Sequence, residues 1–186
     1  MINVVLAAGY ATRLGELTKN FPKPLLKIGN STILGRMLDD IDNIDDITEH
    51  VIVTNHKFAP FFEQWAAEQH YLKPITIIDD GSTANDNRLG AVRDLLLVLE
   101  SLPKQGDLEG LDDLLVVAAD NLLFFSFQEF VDFAKKKQTS CIMCHEQLSI
   151  EKLQRTGVVE LDANNKVLGM EEKPQVPKSH WAVPPF

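Results

Sequence analysis

The sequence is poor in cysteine, in basic residues and in long apolar runs. Two of its 186 residues are cysteine, Cys141 and Cys144. That count excludes a disulfide framework and suggests a reducing compartment, so the cytoplasm is the expected location. No apolar stretch approaches the ~20 residues that a membrane-spanning helix needs, and no membrane partner is expected. No basic leader precedes the first apolar run, so no secretory signal is expected. Lysine and arginine number 18 against 27 aspartates and glutamates, a net charge of −9. Nucleic acid requires a broad basic face, so it is not expected as a partner. Two phosphate-binding fingerprints are also missing. There is no Gly-x-Gly-x-x-Gly and no Gly-Lys-Ser/Thr.

What is present is the composition of a globular domain, 45% hydrophobic and 24% charged. Ile2 to Leu6 is a short, β-branched apolar run that reads as a buried strand. Ser31 is placed to cap a helix over Ile33 to Ile41. Strands are expected at Glu49 to Thr54, Ile75 to Ile78, Leu114 to Ala118 and Ser140 to His145. Helices are expected from Pro60 to about His70, from Leu89 to Leu102 and from Phe127 to Lys137. Pro103 to Asp113 reads as a polar connector. Gly157 to Leu161 and Lys166 to Glu171, split by Asp162-Ala163-Asn164-Asn165, read as a hairpin. Strands alternating with helices predict an α/β fold, a doubly wound and mostly parallel sheet.

The first strand runs into a loop with small residues first and spaced cations after. From Tyr10 to Lys27 the charge balance is +3, so the rest of the chain carries −12. A basic loop at the carboxyl end of the first strand of an open sheet is suited to an anionic ligand. Ala7, Ala8 and Gly9 allow backbone N–H groups close to a phosphate. Arg13 can grip phosphate oxygens in pairs, and Lys23 supplies a point charge. Pro22 and Pro24 restrict the backbone on either side of Lys23. The loop is expected to lack secondary structure of its own, which is uncommon without a function.

The stretch Leu6-Ala7-Ala8-Gly9-x-x-Thr12-Arg13-Leu14, with Pro22-Lys23-Pro24-Leu25-Leu26 after it, resembles the signature of sugar-1-phosphate nucleotidyltransferases. Thymidylyltransferases and uridylyltransferases acting on glucose-1-phosphate are the nearest kind. Ala119-Asp120-Asn121 resembles that family's Gly-Asp-Asn. Gly157-Val158-Val159-Glu160, followed by Glu171-Glu172-Lys173-Pro174, resembles its sugar-binding segment.

The resemblance implies a Rossmann-like nucleotide-diphospho-sugar transferase fold. One domain is expected over 1–186, with a nucleotide-binding part at 1–138. A small hairpin sugar-binding part at 139–186 would be C-terminally incomplete. The implied reaction joins a nucleoside triphosphate, dTTP or UTP for preference, to a sugar-1-phosphate and releases pyrophosphate. Both substrates are then the partners, homo-oligomerisation is left open, and Mg²⁺ is the implied cofactor. Arg13 and Lys23 would be the catalytic cations. Leu6, Ala8, Gly9 and Gly90 would bind the nucleotide, with Asn85 or Asn87 as candidates for the base. Asp120 would be the metal ligand. Gly157, Glu172, Lys173 and Val183 would bind the sugar. The family continues past this point with a second metal aspartate, so weak or absent turnover is expected of the 186 residues alone. Two alternatives are a cytidylyltransferase of a phosphorylated alcohol such as phosphocholine, and a non-catalytic nucleotide-sugar-binding module.

Other features are discounted. Cys141-Ile142-Met143-Cys144 has the spacing of a redox or zinc pair, but reads as a strand with its cysteines on opposite faces. Phe124, Phe125, Phe127, Phe130 and Phe133 read as packing residues.

Overall fold

The computed structural model describes residues 1–11, 15–102 and 113–184, without the side chains of 16 and 17. The chain divides into two compact units, residues 1–128 and 129–185. Pro103 to Lys104 and on to 112, most of the expected polar connector, lies outside the described residues.

The first unit is built on four parallel strands in the order β5-β4-β1-β6. They are β1 (Ile2–Leu6), β4 (Glu49–Thr54), β5 (Ile75–Asp79) and β6 (Leu114–Ala118). β1 and β4 are buried along nearly their whole length, as continuous apolar runs demand. The chain moves outward from β1 to β4 and β5, then returns to place β6 on the other side of β1. That reversal opens a crevice at the carboxyl ends of β1 and β6, the usual place for a ligand in such sheets.

Between β1 and β4 lie a short helix α1 (Glu16–Lys19), a small β2 (Lys27–Ile28) and β3 (Ser31–Thr32) pair, and α2 (Ile33–Ile41). The loop after β1 is therefore not devoid of structure, because α1 and a 3₁₀ turn at Lys23–Leu25 interrupt it. The cap of α2 is Thr32, not Ser31: the Thr32 hydroxyl accepts from the Gly35 N–H at 2.9 Å. Both residues also pair in the small ribbon, Ser31 with Ile28 and Thr32 with Lys27. Leu34, Met37, Leu38 and Ile41 form the buried face of α2, at helical spacing. α3 (Ala59–Ala67) and α4 (Ala91–Ser101) complete the unit. Val98 of α4 is fully buried against Ile2, Val4, Val51 and Val53, worth about 1.5–3 kcal/mol for such a side chain.

One buried polar chain ties the amino ends of β1 and β4 together. Asn3 Nδ2 lies 2.9 Å from His50 Nδ1, and His50 Nε2 lies 3.2 Å from Asp42 Oδ1. Asp42 also accepts the N–H groups of Leu72 and Lys73, at 2.7 and 3.0 Å. Burial holds the His50 imidazole below its ordinary value, against the pull of Asp42. Burial alone would raise the Asp42 carboxyl. The N–H groups of Leu72 and Lys73, with His50, outweigh it and hold the carboxyl low.

The second unit carries an antiparallel sheet in the order β7-β10-β8-β9. Its elements are α5 (Gln128–Lys137), β7 (His145–Glu146), α6 (Ile150–Leu153), β8 (Gly157–Leu161), β9 (Val167–Glu172) and β10 (Trp181–Val183). Leu153, Val158 and Ala182 are its buried cluster. The expected hairpin is β8–β9. Asp162 turns it by accepting the N–H groups of Asn164 and Lys166, both at 2.8 Å. The expected strand at Ser140 to His145 does not form. Only His145 and Glu146 pair with β10, and Cys141 to Cys144 have no strand partner. No helix among the described residues is long and apolar enough to cross a membrane.

Candidate active site

The crevice between β1 and β6 is lined by Leu6, Gly9, Ala11, Lys23, Ala119 and Asp120, among others. Ala119 N donates to Leu6 O at 3.0 Å, which fixes the turn after β6 beside the end of β1. Pro22 holds an extended backbone ahead of the 3₁₀ turn that begins at Lys23. From there Lys23 Nζ reaches Asp120 Oδ2 at 2.8 Å, an ion pair spanning 97 residues of sequence. Lysine is 28% and aspartate 50% exposed, so the pair is open to solvent and to ligand.

The backbone of this crevice suits an anion. Ala8 O accepts from Asn55 Nδ2 at 3.1 Å, and Ala11 O accepts from Thr18 Oγ1 at 2.9 Å. The Tyr10 hydroxyl donates to Ser82 O at 2.9 Å, joining this loop to the one after β5. Among the described residues, the N–H groups of Ala8, Gly9, Tyr10 and Ala11 find no partner. Ala11 takes φ +46°, a left-handed conformation. Successive unpartnered N–H groups near a left-handed residue form the kind of concavity that binds phosphate. Ala8 itself does not line the crevice; it is buried, with its carbonyl turned to Asn55. Arg13 lies outside the described residues.

The loop after β5 leads to Gly90, which starts α4 at φ +87° and is exposed. Asn87 Oδ1 accepts the N–H groups of Thr83 and Ala84, so it shapes this loop. Asn85 Oδ1 accepts from Arg88 Nη1 at 3.3 Å. Beneath α4, Asp80 and Asp94 are 9% and 4% exposed. Asp80 Oδ1 accepts the Ser82 N–H at 2.7 Å, while Asp80 Oδ2 and Asp94 Oδ1 have no partner. Burial, with the Asp80 charge added, pushes the Asp94 carboxyl up to about 6.

In the second unit, strand register gathers the expected sugar residues. Gly157 pairs with Glu172 on one side and Val183 on the other. A Cβ at Gly157 would lie 2.9 Å from Met170 Cε, 3.4 Å from Glu172 Oε2 and 3.5 Å from Val183 Cβ. Lys173 follows at φ +49°, with its N–H on Thr156 O at 3.0 Å. Its Nζ sits 2.8 Å from Glu172 Oε1, and both side chains are exposed. Cys141 and Cys144 are free thiols, and burial raises that of Cys144, the opposite of a reactive thiolate. Among the described residues, no group of three or more His, Cys, Asp or Glu could hold a metal.

Sequence reasoning missed Asn55, Tyr10, Thr18 and the Asp80–Asp94 pair. The one available signal was Asn55 itself, a polar residue directly after a buried strand, the same position that marked Asp120.

Comparison with known proteins gives the family and the fold. The family model described as nucleotidyl transferase matches residues 2–184. A glucose-1-phosphate adenylyltransferase of Fervidobacterium nodosum is 23% identical over 98% of this chain and 45% of its own length. One from Vibrio vulnificus is 24% identical over 100% of this chain and 46% of its own. The chain thus spans less than half the length of these curated relatives. A structure described as a glucose-1-phosphate thymidylyltransferase of Bacillus anthracis, in complex with sucrose, superposes with TM-score 0.74 at 23% identity, covering 100% of this chain and 70% of that one. A UDP-glucose pyrophosphorylase with UDP-glucose gives TM-score 0.75 at 18% identity, covering 98% and 73%. The first unit's parallel sheet, its anion-suited crevice and the match from residue 2 to 184 lead to one assignment: this chain belongs to the nucleotidyl transferase family.

Proposed function

We propose that the chain carries out nucleotidyl transfer from a nucleoside triphosphate to a sugar-1-phosphate, releasing pyrophosphate. The observation that carries this reading is the crevice at β1 and β6. It combines the N–H groups of Gly9 and Ala11, which have no partner among the described residues, with a lysine and a carboxylate at its rim. The nucleophile in such a reaction is already an ionised phosphate, so no general base is required. The barrier is electrostatic: two anions meet, and charge grows on the leaving pyrophosphate. The N–H groups of Gly9 and Ala11 and the Lys23 ammonium would meet that charge. Arg13 is assigned to the pyrophosphate end on the sequence motif. Gly157, Glu172, Lys173 and Val183 are assigned to the sugar phosphate, because strand register sets three of them side by side and Lys173 directly follows Glu172.

Asp120 offers one half-exposed carboxylate, which fits a Mg²⁺ that arrives with a polyphosphate and keeps its other ligands as phosphate and water. Bound there, the ion would supply charge neutralisation. The preferred bases are uracil and thymine, on the sequence likeness. The adenylyltransferase relatives make ATP the necessary comparison.

Two measurements test the reading. One is calorimetric binding of UTP, dTTP, ATP and CTP with Mg²⁺. The other is pyrophosphate release with a panel of sugar-1-phosphates and, with CTP, phosphocholine. Lys23→Ala is expected to lower turnover by about 100-fold or more, the scale of one lost electrostatic contact. Full activity in Lys23→Ala overturns the site. Turnover with CTP and phosphocholine alone overturns the sugar substrate.

A further inference from the structure

Two buried side chains outside the motifs hold the loop that follows β1. Asn55 has no exposed surface and sits immediately after β4. Its amide has one possible orientation. The Phe58 N–H can only donate, so Oδ1 accepts it, at 3.0 Å; the Ala8 carbonyl can only accept, so Nδ2 donates to it, at 3.1 Å. Thr18 is 2% exposed, and its hydroxyl donates to the Ala11 carbonyl. These two bonds take the carbonyls at both ends of the segment from Ala8 to Ala11. At its far end Ala11 holds φ +46° without being glycine, a conformation that costs about 1–2 kcal/mol. A bond to its carbonyl from a buried hydroxyl offsets that cost and selects the conformation.

We propose that Asn55 and Thr18 are positioning residues for anion binding. By engaging the Ala8 carbonyl, Asn55 turns the Gly9 N–H of the same peptide unit the opposite way, and by engaging the Ala11 carbonyl, Thr18 holds the left-handed conformation that ends the segment; together they keep its backbone shaped for a polyphosphate. Neither touches the ligand. The inference rests on the phosphate reading of this crevice and assigns its preorganisation to two residues 37 apart in sequence, on different elements. Without them, the loop would have to order itself on binding, and affinity would fall by that amount.

The test is calorimetric titration of the 186-residue chain with inorganic tripolyphosphate in the presence of Mg²⁺. The variants are Thr18→Val, Thr18→Ser, Asn55→Asp and, as a core control away from the loop, Val98→Ala. Thr18→Val keeps the shape and loses the donor; it is expected to weaken binding about tenfold, the scale of one hydrogen bond. Thr18→Ser restores the donor and is expected to recover most of that loss. Asn55→Asp sets a carboxylate against the Ala8 carbonyl and is expected to weaken binding by at least the same factor. Val98→Ala lowers the melting temperature and leaves affinity unchanged. Parent-like binding by Thr18→Val and Asn55→Asp overturns the positioning role. Equal loss in Thr18→Ser and Thr18→Val also overturns it, because packing is then the role. If Asn55→Asp does not fold, the two Thr18 variants decide. Absence of tripolyphosphate binding by the parent chain overturns the phosphate reading itself, and this inference with it.

Discussion

Asp94→Asn probes the buried carboxyl pair beneath α4 through its dependence on pH. In the folded chain Asp94 gives up its proton near 6; in the unfolded chain it does so near its ordinary 3.8. Between those values the folded state holds a proton that the unfolded state has lost. Raising the pH through that window therefore removes stability, and above about pH 7 the loss is complete. The gap between 3.8 and about 6 corresponds to ~3 kcal/mol of destabilisation at neutral pH. Asparagine has the shape of the protonated acid and no charge to lose. Its amide can donate to a neighbour such as Asp80 Oδ2, an atom now without a partner. The variant is expected to be more stable than the parent by about 1–3 kcal/mol at pH 8 and equal to it near pH 4. Urea denaturation at several pH values measures the difference. Trp65 in α3 reports on the first unit, and Trp181→Phe in both proteins removes the signal of the second. A stability gain that is the same at pH 4 and pH 8 refutes the buried-charge argument. So does a variant less stable than the parent at pH 8.

His50 acts in the opposite sense. It is neutral when folded, and the unfolded chain takes up a proton below 6.5, so stability is expected to fall as the pH drops through that value; a His50→Gln variant that shows the same acid dependence in calorimetry speaks against it. Asp42→Ala strands the N–H groups of Leu72 and Lys73 and the His50 ring, and is expected to cost about 3 kcal/mol, read from the urea midpoint. Gly157→Ala places a Cβ 2.9 Å from a methionine end that can move, so it is expected to fold with a loss of about 1 kcal/mol. If sugar-1-phosphate binding is unaffected by Gly157→Ala, the sugar assignment at that position fails.

The buried strands were legible because a strand covered on both faces is a continuous apolar run. β1 and β4 lie where such runs fall; β6 was placed by the same signal although Val116 at its centre is exposed, and α2 occupies Ile33–Ile41 because four large side chains repeat at helical spacing. Shorter elements were not legible. α1 has four residues, too few for any period to show. The stretch around Cys141 has strand-like composition, but composition does not supply a pairing partner, and β10 reaches only His145 and Glu146. Ser31 and Thr32 are both capping types and both pair in the small ribbon; Thr32 is the one directly ahead of the first helical turn, with its hydroxyl on the Gly35 N–H. Within the crevice, Lys23 and Asp120 could be read from their motifs although 97 residues apart. Asn55 stood where it could be noticed, directly after a buried strand, but its role could not be read, because its partner is a backbone carbonyl 47 residues away and a carbonyl leaves no mark in a sequence.

The contact between Lys23 and Asp120 sets a condition on what can enter the crevice. With the two charges matched to each other, the rim is locally neutral and attracts neither sign strongly. A free anion could draw the lysine away, but only by leaving a carboxylate beside new negative charge. A free cation could draw the aspartate away, but only by leaving an ammonium beside new positive charge. A guest that carries both signs at the right spacing separates the pair without abandoning either end. A polyphosphate with a divalent cation on it is such a guest. The ion pair thus acts as a two-key lock, favouring a guest that carries both signs over one that carries either alone.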